Sequence, residues 1–592
     1  MANEKIIRDH LAFLYGGKIS KSVWLQLRQQ LDEFRNRNLR SKKRIVSSTE
    51  CWTERDLFLI TYSDQIREPG KPPLQSLAEF LDEYLVDAFS GVHLLPFHPY
   101  SSDDGFSVID YRQVDPELGT WDNISQIGQN FRLIFDAVIN HVSRKSKWFK
   151  AYLKNQEPYA GYFIDVAPSV DLSEVVRPRD LPLLTPFETA GGVRHVWTTF
   201  SHDQIDLNYA NPKVLLEIID LLLFYVERGA DIIRLDAIAY LWKEIGTSCL
   251  HLPQAHRVVK LFRAILESVA PEVLLVTETN VPHDENISYF GEPLPGTDKV
   301  DEAQMVYQFP LVPLVLHTFY TGCARTLSRW VASLETPSSM STFFNFLASH
   351  DGIGVIPARE LLSDDEVEAL AERTLTHGGE LSYKVNPDGS RNVYELNITL
   401  FDFLNHPGHP QPELDSRRFL AAQVILLSLA GVPGIYIHSL FGSRNYREGV
   451  NKTGCARSIN REKFHRVTLE AELADFNSLK HKIFSEFLHL IHQRKNHPAF
   501  HPTSEQRVLF LDDNLFTLIR TAVNGETILC IVNVGHRGKV IYLYPKEWNL
   551  PETDIWRDLI EGINYPVKEK CLSISMEPYK ALWLFSEPES AG

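Results

Sequence analysis

Several residues able to do chemistry stand at the ends of short apolar runs. Asp136, Asn140 and His141 close LIFDAVINH, Arg234 and Asp236 close DIIRLDAI, Glu278 lies in VLLVTET, and His350 and Asp351 close TFFNFLASHD. Side chains alternate along a strand, so Arg234 and Asp236 point to one side. A lone acid at a strand end is ordinarily a helix cap. Acids, histidines and an arginine converging on one rim are different. A like-charged cluster costs free energy, and chemistry is the usual reason for keeping it.

The chemistry that wants paired carboxylates is cleavage of a glycosidic bond. One carboxylate attacks the anomeric carbon while a second, protonated, donates to the leaving oxygen; retaining enzymes hold the pair roughly 5–5.5 Å apart. Adjacent strands can supply that spacing, and Asp236 and Glu278 close adjacent runs. Arg234 would keep Asp236 ionised, as a nucleophile requires. The nearby charge of Asp236 would raise the proton affinity of Glu278, as an acid requires.

Such a rim needs a scaffold of parallel strands. Eight apolar runs recur between residues 56 and 440, separated by helical stretches: DLFLITYSD, GVHLLPF, LIFDAVINH, DIIRLDAI, VLLVTET, AQMVYQF, TFFNFLASHD and GVPGIYIHSL. Strands alternating with helices predict an α/β fold, and eight of them a closed (β/α)8 TIM barrel. A doubly wound sheet would more often show fewer strands and a Gly-rich loop after the first, which here ends ITYSDQ. Residues 1–50 read as an N-terminal helical extension whose basic run, Arg40 to Arg44, is a solvated face. Residues 51–504 form the catalytic barrel, with an inserted subdomain at 142–205 after strand three and another at 352–410 after strand seven. Both insertions would lie over the C-terminal face, where barrel active sites sit. Residues 505–592 read as a C-terminal antiparallel β-domain.

Composition narrows the partners. The 592 residues carry a formal net charge of -16, which argues against nucleic acid or an anionic membrane surface. No stretch reaches the roughly 18–20 apolar residues of a membrane span, and MANEKIIRDH lacks a signal peptide's apolar core. Six cysteines without CxxC spacing fit a reducing cytoplasm and predict no zinc site and no disulfides.

DAVINH, RLDAIAY, TETN and ASHDG, with QIDLN at 204–208, resemble the conserved regions of the α-amylase superfamily, glycoside hydrolase family 13. The resemblance spans about residues 56–590. It implies Asp236 as nucleophile, Glu278 as general acid/base and Asp351 as transition-state stabiliser, with His141, Arg234, Tyr240 and His350 as sugar contacts. SSDDGFSVIDY, RPR, EIGTSC, SHDGIGV and INR bring the chain closer to the sucrose phosphorylase subfamily. By that match Asp103 and Arg461 clamp the far hydroxyls of one glucosyl unit, Phe106 and Phe200 wall it, and Arg179 and Tyr394 meet phosphate or the leaving group. The subfamily implies no cofactor and no metal, although Asn140 and Asp206 match positions that surround calcium in some members of the superfamily.

The departures fall on the acceptor side. Sucrose phosphorylases tend to have Asp and Gln where this chain has Asn392 and Glu395, and His where it has Asn280. TETNVPH, RPRDLPLLTPF and the N-terminal extension are more like the glucosylglycerate phosphorylase group. The expected activity is retaining transfer of a glucosyl unit from 2-O-α-glucosylglycerate to inorganic phosphate, by a monomer or homodimer. The alternatives are a sucrose or sucrose 6-phosphate phosphorylase and a related α-glucosidase or transglucosidase. An anionic acceptor calls for a cation, for which Arg391 and Arg194 are the candidates, with Glu395 opposing them unless it faces elsewhere. A non-catalytic binding relative would have lost one of the three acids, and none is lost here.

Overall fold

The computed structural model describes residues 2–38, 51–179, 181–385 and 391–586. Each of the eight apolar runs contributes one strand: β1 Phe58–Thr61, β2 Gly91–Leu94, β3 Arg132–Ala137, β4 Ala230–Leu235, β5 Leu274–Thr277, β6 Met305–Tyr307, β7 Thr342–Asn345 and β8 Val432–Tyr436. They close in sequence order into a barrel of parallel strands, β1 pairing with both β2 and β8. The runs are apolar throughout because a barrel strand faces side chains inside and helices outside, and Phe58, Leu59 and Ile60 are buried accordingly. Bulky rings fill the interior where a neighbour gives way. A Cβ on Gly434 would stand 2.4 Å from the Phe344 ring, and one on Gly91 2.4 Å from the Phe58 ring.

The insertion after β3 carries an antiparallel hairpin, Leu184–Thr189 with Gly192–Trp197. The excursion after β7 holds the helix Asp364–Thr376 and a second hairpin, Glu380–Val385 with Arg391–Asn397. Both rise from C-terminal ends of barrel strands, over the rim.

The N-terminal segment forms two helices, α1 Ala2–Tyr15 and α2 Gly17–Asn38. They part at Gly16, whose φ of +72° suits glycine. Ile7, Leu11 and Leu14 of α1 and Val23, Leu27, Leu31 and Phe34 of α2 recur at helical spacing and are buried. The pair packs on the barrel helices Pro212–Glu227 and Pro253–Val269. The basic run Arg40 to Arg44 lies outside the described residues.

The C-terminal sheet has eight strands: β9 Glu505–Leu509, β10 Leu515–Thr521, β11 Thr527–Asn533, β12 Lys539–Leu543, β13 Ile555–Asp558, β14 Asn564–Lys568, β15 Cys571–Met576 and β16 Ala581–Phe585. Two buried arginines lie where it meets the barrel, one on each side, and both donate to backbone carbonyls of the barrel segment. Arg494 donates to Glu54 O at 2.6 Å, Phe500 O at 3.0 Å and Leu427 O at 3.1 Å. Arg520 of β10 donates to His501 O at 2.6 Å and Ser428 O at 2.9 Å.

Candidate active site

Strand register explains how the acids meet. Asp136 of β3 and Arg234 of β4 are paired residues, as are Leu235 and Thr277 one step before Asp236 and Glu278. Neighbouring strands lie about 4.8 Å apart, so side chains at the same level touch. Arg234 Nη1 donates to Asp136 Oδ1 and, at 2.8 Å, to Asp236 Oδ1. His93 Nε2 stands 2.8 Å from the other oxygen of Asp136. Burial opposes ionisation of Asp136, but Arg234 and His93 hold it down at about 2.

Arg234 therefore divides itself between two carboxylates, and it does not by itself keep Asp236 ionised. Burial, with Glu278 and Asp136 nearby, raises Asp236 to about 8 against the pull of Arg234. Burial and the charge of Asp351 raise Glu278 as well. Both carboxyls therefore hold a proton more tightly than a free carboxyl does. The direct bond from Arg234 favours the anion on Asp236 and leaves the proton on Glu278. Ala237, in the left-handed region at φ 50°, turns its N–H onto Glu278 Oε2 at 3.1 Å.

The third acid is held differently. Arg457 Nη1 donates to Asp351 Oδ1 at 2.6 Å, and His350 Nε2 is 3.5 Å from Oδ2. Burial disfavours its charge, but Arg457, with Arg461 and Arg234, outweighs burial and drives it far below the carboxylate range. His350 lies face to face with Phe106, centroids 4.8 Å apart, and burial pushes it down to about 3. His141 sits with Nε2 2.9 Å from Phe106 O, and burial lowers it too. Both imidazoles are neutral wall groups.

The SSDDGF turn reaches in from beyond β2. Asp103 and Asp104 adopt φ of 54° and 46°, unusual for two successive side chains and of order 1–3 kcal/mol each. Arg461 secures the turn, at 2.5 Å from Asp104 Oδ2 and 3.8 Å from Asp103 Oδ1. Arg179 Nη2 lies 3.5 Å from Asp103 Oδ2, and its guanidinium rests 5.9 Å from the Phe200 ring. Against burial, Arg179, Arg457 and Arg461 hold Asp103 at about 2.

One cleft brings together Asp236, Glu278 and Asp351 with Asp103, Phe106, His141, Phe200, Tyr240, Asn280 and His350. Arg179, Tyr394 and Glu395 line it as well. Three expected residues stand back from its surface. Arg234 and Arg461 lie behind the lining, holding carboxylates and the His350 carbonyl, the latter at 2.8 Å. Asn392 pairs with Lys384 in the hairpin away from the lining. The two arginines expected beside an anionic acceptor also do not line the cleft. Arg194 is half exposed and bonded to Asp165 at 2.5 Å, and neither it nor Arg391 lines the cleft. The cations that do are Arg179 and Arg457. Arg457 escaped the sequence reading, as did Gln204, which donates to Phe106 O at 3.1 Å. Gln204 opens the QIDLN segment, so a signal existed for it; Arg457 had only its helical spacing from Arg461. Glu395 opposes nothing, since both its oxygens are taken by Arg457.

Asn140 and Asp206 do not face a vacant cation position. Lys243 Nζ lies 2.7 Å from Asn140 Oδ1 and 2.7 Å from Asp206 Oδ2, so an ammonium supplies the positive charge there.

Residues 74–353 match the alpha amylase catalytic domain family. A glucosylglycerate phosphorylase of Allomeiothermus silvanus is 50% identical over 582 residues, 98% of each chain. A sucrose phosphorylase of Agrobacterium vitis is 31% identical over 80% of this chain and 94% of its own. A crystal structure of sucrose 6F-phosphate phosphorylase from Thermoanaerobacter thermosaccharolyticum superposes with a TM-score of 0.71 at 24% identity, over 90% of this chain and 100% of that one. With barrel, acid pair and full-length likeness in agreement, the chain belongs to the α-amylase superfamily and, within it, to the glucosylglycerate phosphorylase family.

Proposed function

We propose that the chain is a retaining phosphorylase that transfers the glucosyl unit of 2-O-α-glucosylglycerate to inorganic phosphate, releasing glycerate and α-D-glucose 1-phosphate. The observation that carries the reading is the Asp236–Glu278 pair, two carboxyls of raised proton affinity lining a cleft that also presents Arg179 and Tyr394. Asp236 attacks the anomeric carbon as the bond to the glycerate oxygen breaks, and Glu278 gives that oxygen its proton. Phosphate then attacks the glucosyl ester, returning a proton to Glu278 and freeing Asp236. Two inversions give net retention. Asp351 stays anionic and offsets the positive charge that develops on the sugar ring.

Arg457 is spent on Asp351 and Glu395, whereas among the described residues the one carboxylate contact of Arg179 is long, 3.5 Å to Asp103. Arg179 therefore has donors to spare. The departing glycerate carboxylate and the incoming phosphate are both anions, and one guanidinium can serve each in turn. Sucrose fits less well, because fructose brings no charge for Arg179 and the likeness to a sucrose phosphorylase is the weaker one. The substrates are small molecules, with no nucleic acid or membrane partner. Among the described residues no helix is long and apolar enough to cross a bilayer, and the six free cysteines fit a reducing cytoplasm.

The test runs the reaction backwards. The enzyme is given α-D-glucose 1-phosphate with D-glycerate, glycerol, fructose or fructose 6-phosphate, one at a time, and released phosphate is measured. Glycerate should be the fastest acceptor. Fructose outpacing glycerate at equal concentration would overturn the assignment.

A further inference from the structure

Away from the cleft, a cavity of about 300 Å³ opens between the excursion after β7 and the C-terminal sheet. Arg373, Arg418, His377, His406, His409 and His536 line it, and Asp415 is the acid among its walls. In a chain of net charge -16 this is a concentrated patch of cationic and imidazole groups.

Its charges are not balanced from within. Arg373 donates to Phe403 O at 2.9 Å and Leu404 O at 3.1 Å, and no described carboxylate pairs with it. Arg418 uses Nη1 on Asn405 Oδ1 at 2.6 Å, Leu404 O at 3.2 Å and Asp415 Oδ1 at 3.4 Å. Among the described residues, Arg373 Nη1 and Arg418 Nη2 have no protein acceptor. Rings fix both guanidinium planes: Arg418 lies 4.5 Å from the Tyr579 centroid and Arg373 5.4 Å from that of Tyr320. Burial, then Arg373, His406 and Arg418, push His377 down to about 4, although Nδ1 is bonded to Asp402 O at 2.6 Å.

Two partly buried guanidiniums, of which only Arg418 meets a described carboxylate, Asp415 at 3.4 Å, call for an anion from solution, since charges out of water are ordinarily paired. A planar fork of N–H donors matches a phosphate better than a halide, and imidazoles add further donors. The volume lies at the lower end of small-ligand pockets, about 300–1,000 Å³, and the tyrosines offer faces to a ring. We propose that this cavity binds a phosphate oxyanion, free or carried on a sugar, at a site separate from the catalytic cleft. Arg373 and His377 stand at the end of the helix Asp364–Thr376, and Gly378 and Gly379 lead from it into the hairpin bearing Tyr394 and Glu395. An anion held here sits at the foot of that hairpin.

The experiment counts sites by equilibrium dialysis of the full chain carrying Asp236→Asn, which prevents glucosyl transfer. The probes are labelled inorganic phosphate and, separately, labelled glucose 1-phosphate. We expect two equivalents bound per chain with at least one probe. His409→Glu with His536→Glu, both at exposed positions, should weaken one equivalent about tenfold or more and spare the other. Arg373→Gln should do the same. Turnover of the parent enzyme carrying the two histidine changes should be preserved at saturating substrate. A second equivalent seen only with glucose 1-phosphate identifies the ligand as a sugar phosphate, and one seen with both probes identifies the oxyanion as the determinant. A single equivalent with each probe, or a second one unmoved by either set of changes, overturns the proposal.

Discussion

The guanidinium of Arg457 and the carboxylate of Asp351 are joined at 2.6 Å, and the same guanidinium is gripped on its other side by both oxygens of Glu395. A residue on the turn after β8 thereby ties the acid beyond β7 to the hairpin on the acceptor side. Arg457→Ala would leave two carboxylates facing each other without their cation. We expect a loss of about 3–5 kcal/mol in denaturant unfolding. kcat/KM should fall about 100-fold or more, because Asp351 loses its main cationic partner and the hairpin its anchor. Wild-type stability in this variant would contradict the bridge.

Glu278 is assigned as proton donor to the leaving oxygen. Glu278→Gln should lower phosphorolysis of glucosylglycerate by about 10²–10⁴-fold. It should spare reaction with α-D-glucosyl fluoride, whose leaving group needs no proton. Equal losses on both substrates, measured by initial rates, would remove Glu278 from that role.

The acid pair also governs stability against pH. Burial and the nearness of other acids raise the pair in the folded chain, Asp236 to about 8, whereas an unfolded aspartate titrates near about 4. The folded state thus keeps a proton that the unfolded state releases. That contribution is complete below about pH 4 and is lost as pH rises through about 8. Asp236→Asn, or Glu278→Gln, removes the loss. Either variant should melt above the parent by a margin that widens from about pH 5 to about pH 8 in calorimetric scans, although Asp236→Asn costs several orders of magnitude in rate. A margin that shrinks with pH would mean the pair is not raised.

Lys243 is the counter-charge of Asp206 and donates to the amide oxygen of Asn140. Lys243→Met should therefore cost about 3–5 kcal/mol by stranding a buried carboxylate. Chelator or added calcium should leave the melting temperature of the parent enzyme unchanged. Calcium-dependent stabilisation of the parent would overturn the assignment of the cation to lysine.

Much of this was legible beforehand because barrel strands carry their own signature. A strand buried on both faces must be apolar along its length, and the residue that ends it must stand on the rim, so DIIRLDAI and VLLVTET announced both place and chemistry. What failed to read was contact between distant loops. Arg194 looked available as a cation, but it lies on the exposed side of its hairpin with Asp165 in reach. Arg457 looked like any polar turn residue until the fold set it between Asp351 and Glu395. Burial was equally hidden: Arg234 does bond Asp236, yet the weight of desolvation on that carboxyl depends on everything packed around it.

Arg520, on the C-terminal sheet, gives its charged end to the barrel-side carbonyls of Ser428 and His501, and Arg494 braces carbonyls of Glu54, Leu427 and Phe500 on the barrel side of that seam. Neither half can leave the other without exposing apolar surface and breaking donors from carbonyls that have no other place in the fold. The seam therefore behaves as interior rather than as a joint. The chain should melt in one cooperative step, and the barrel cut away at residue 504 would be a fragment rather than a smaller enzyme. Shuffling among relatives would have to carry sheet and barrel together.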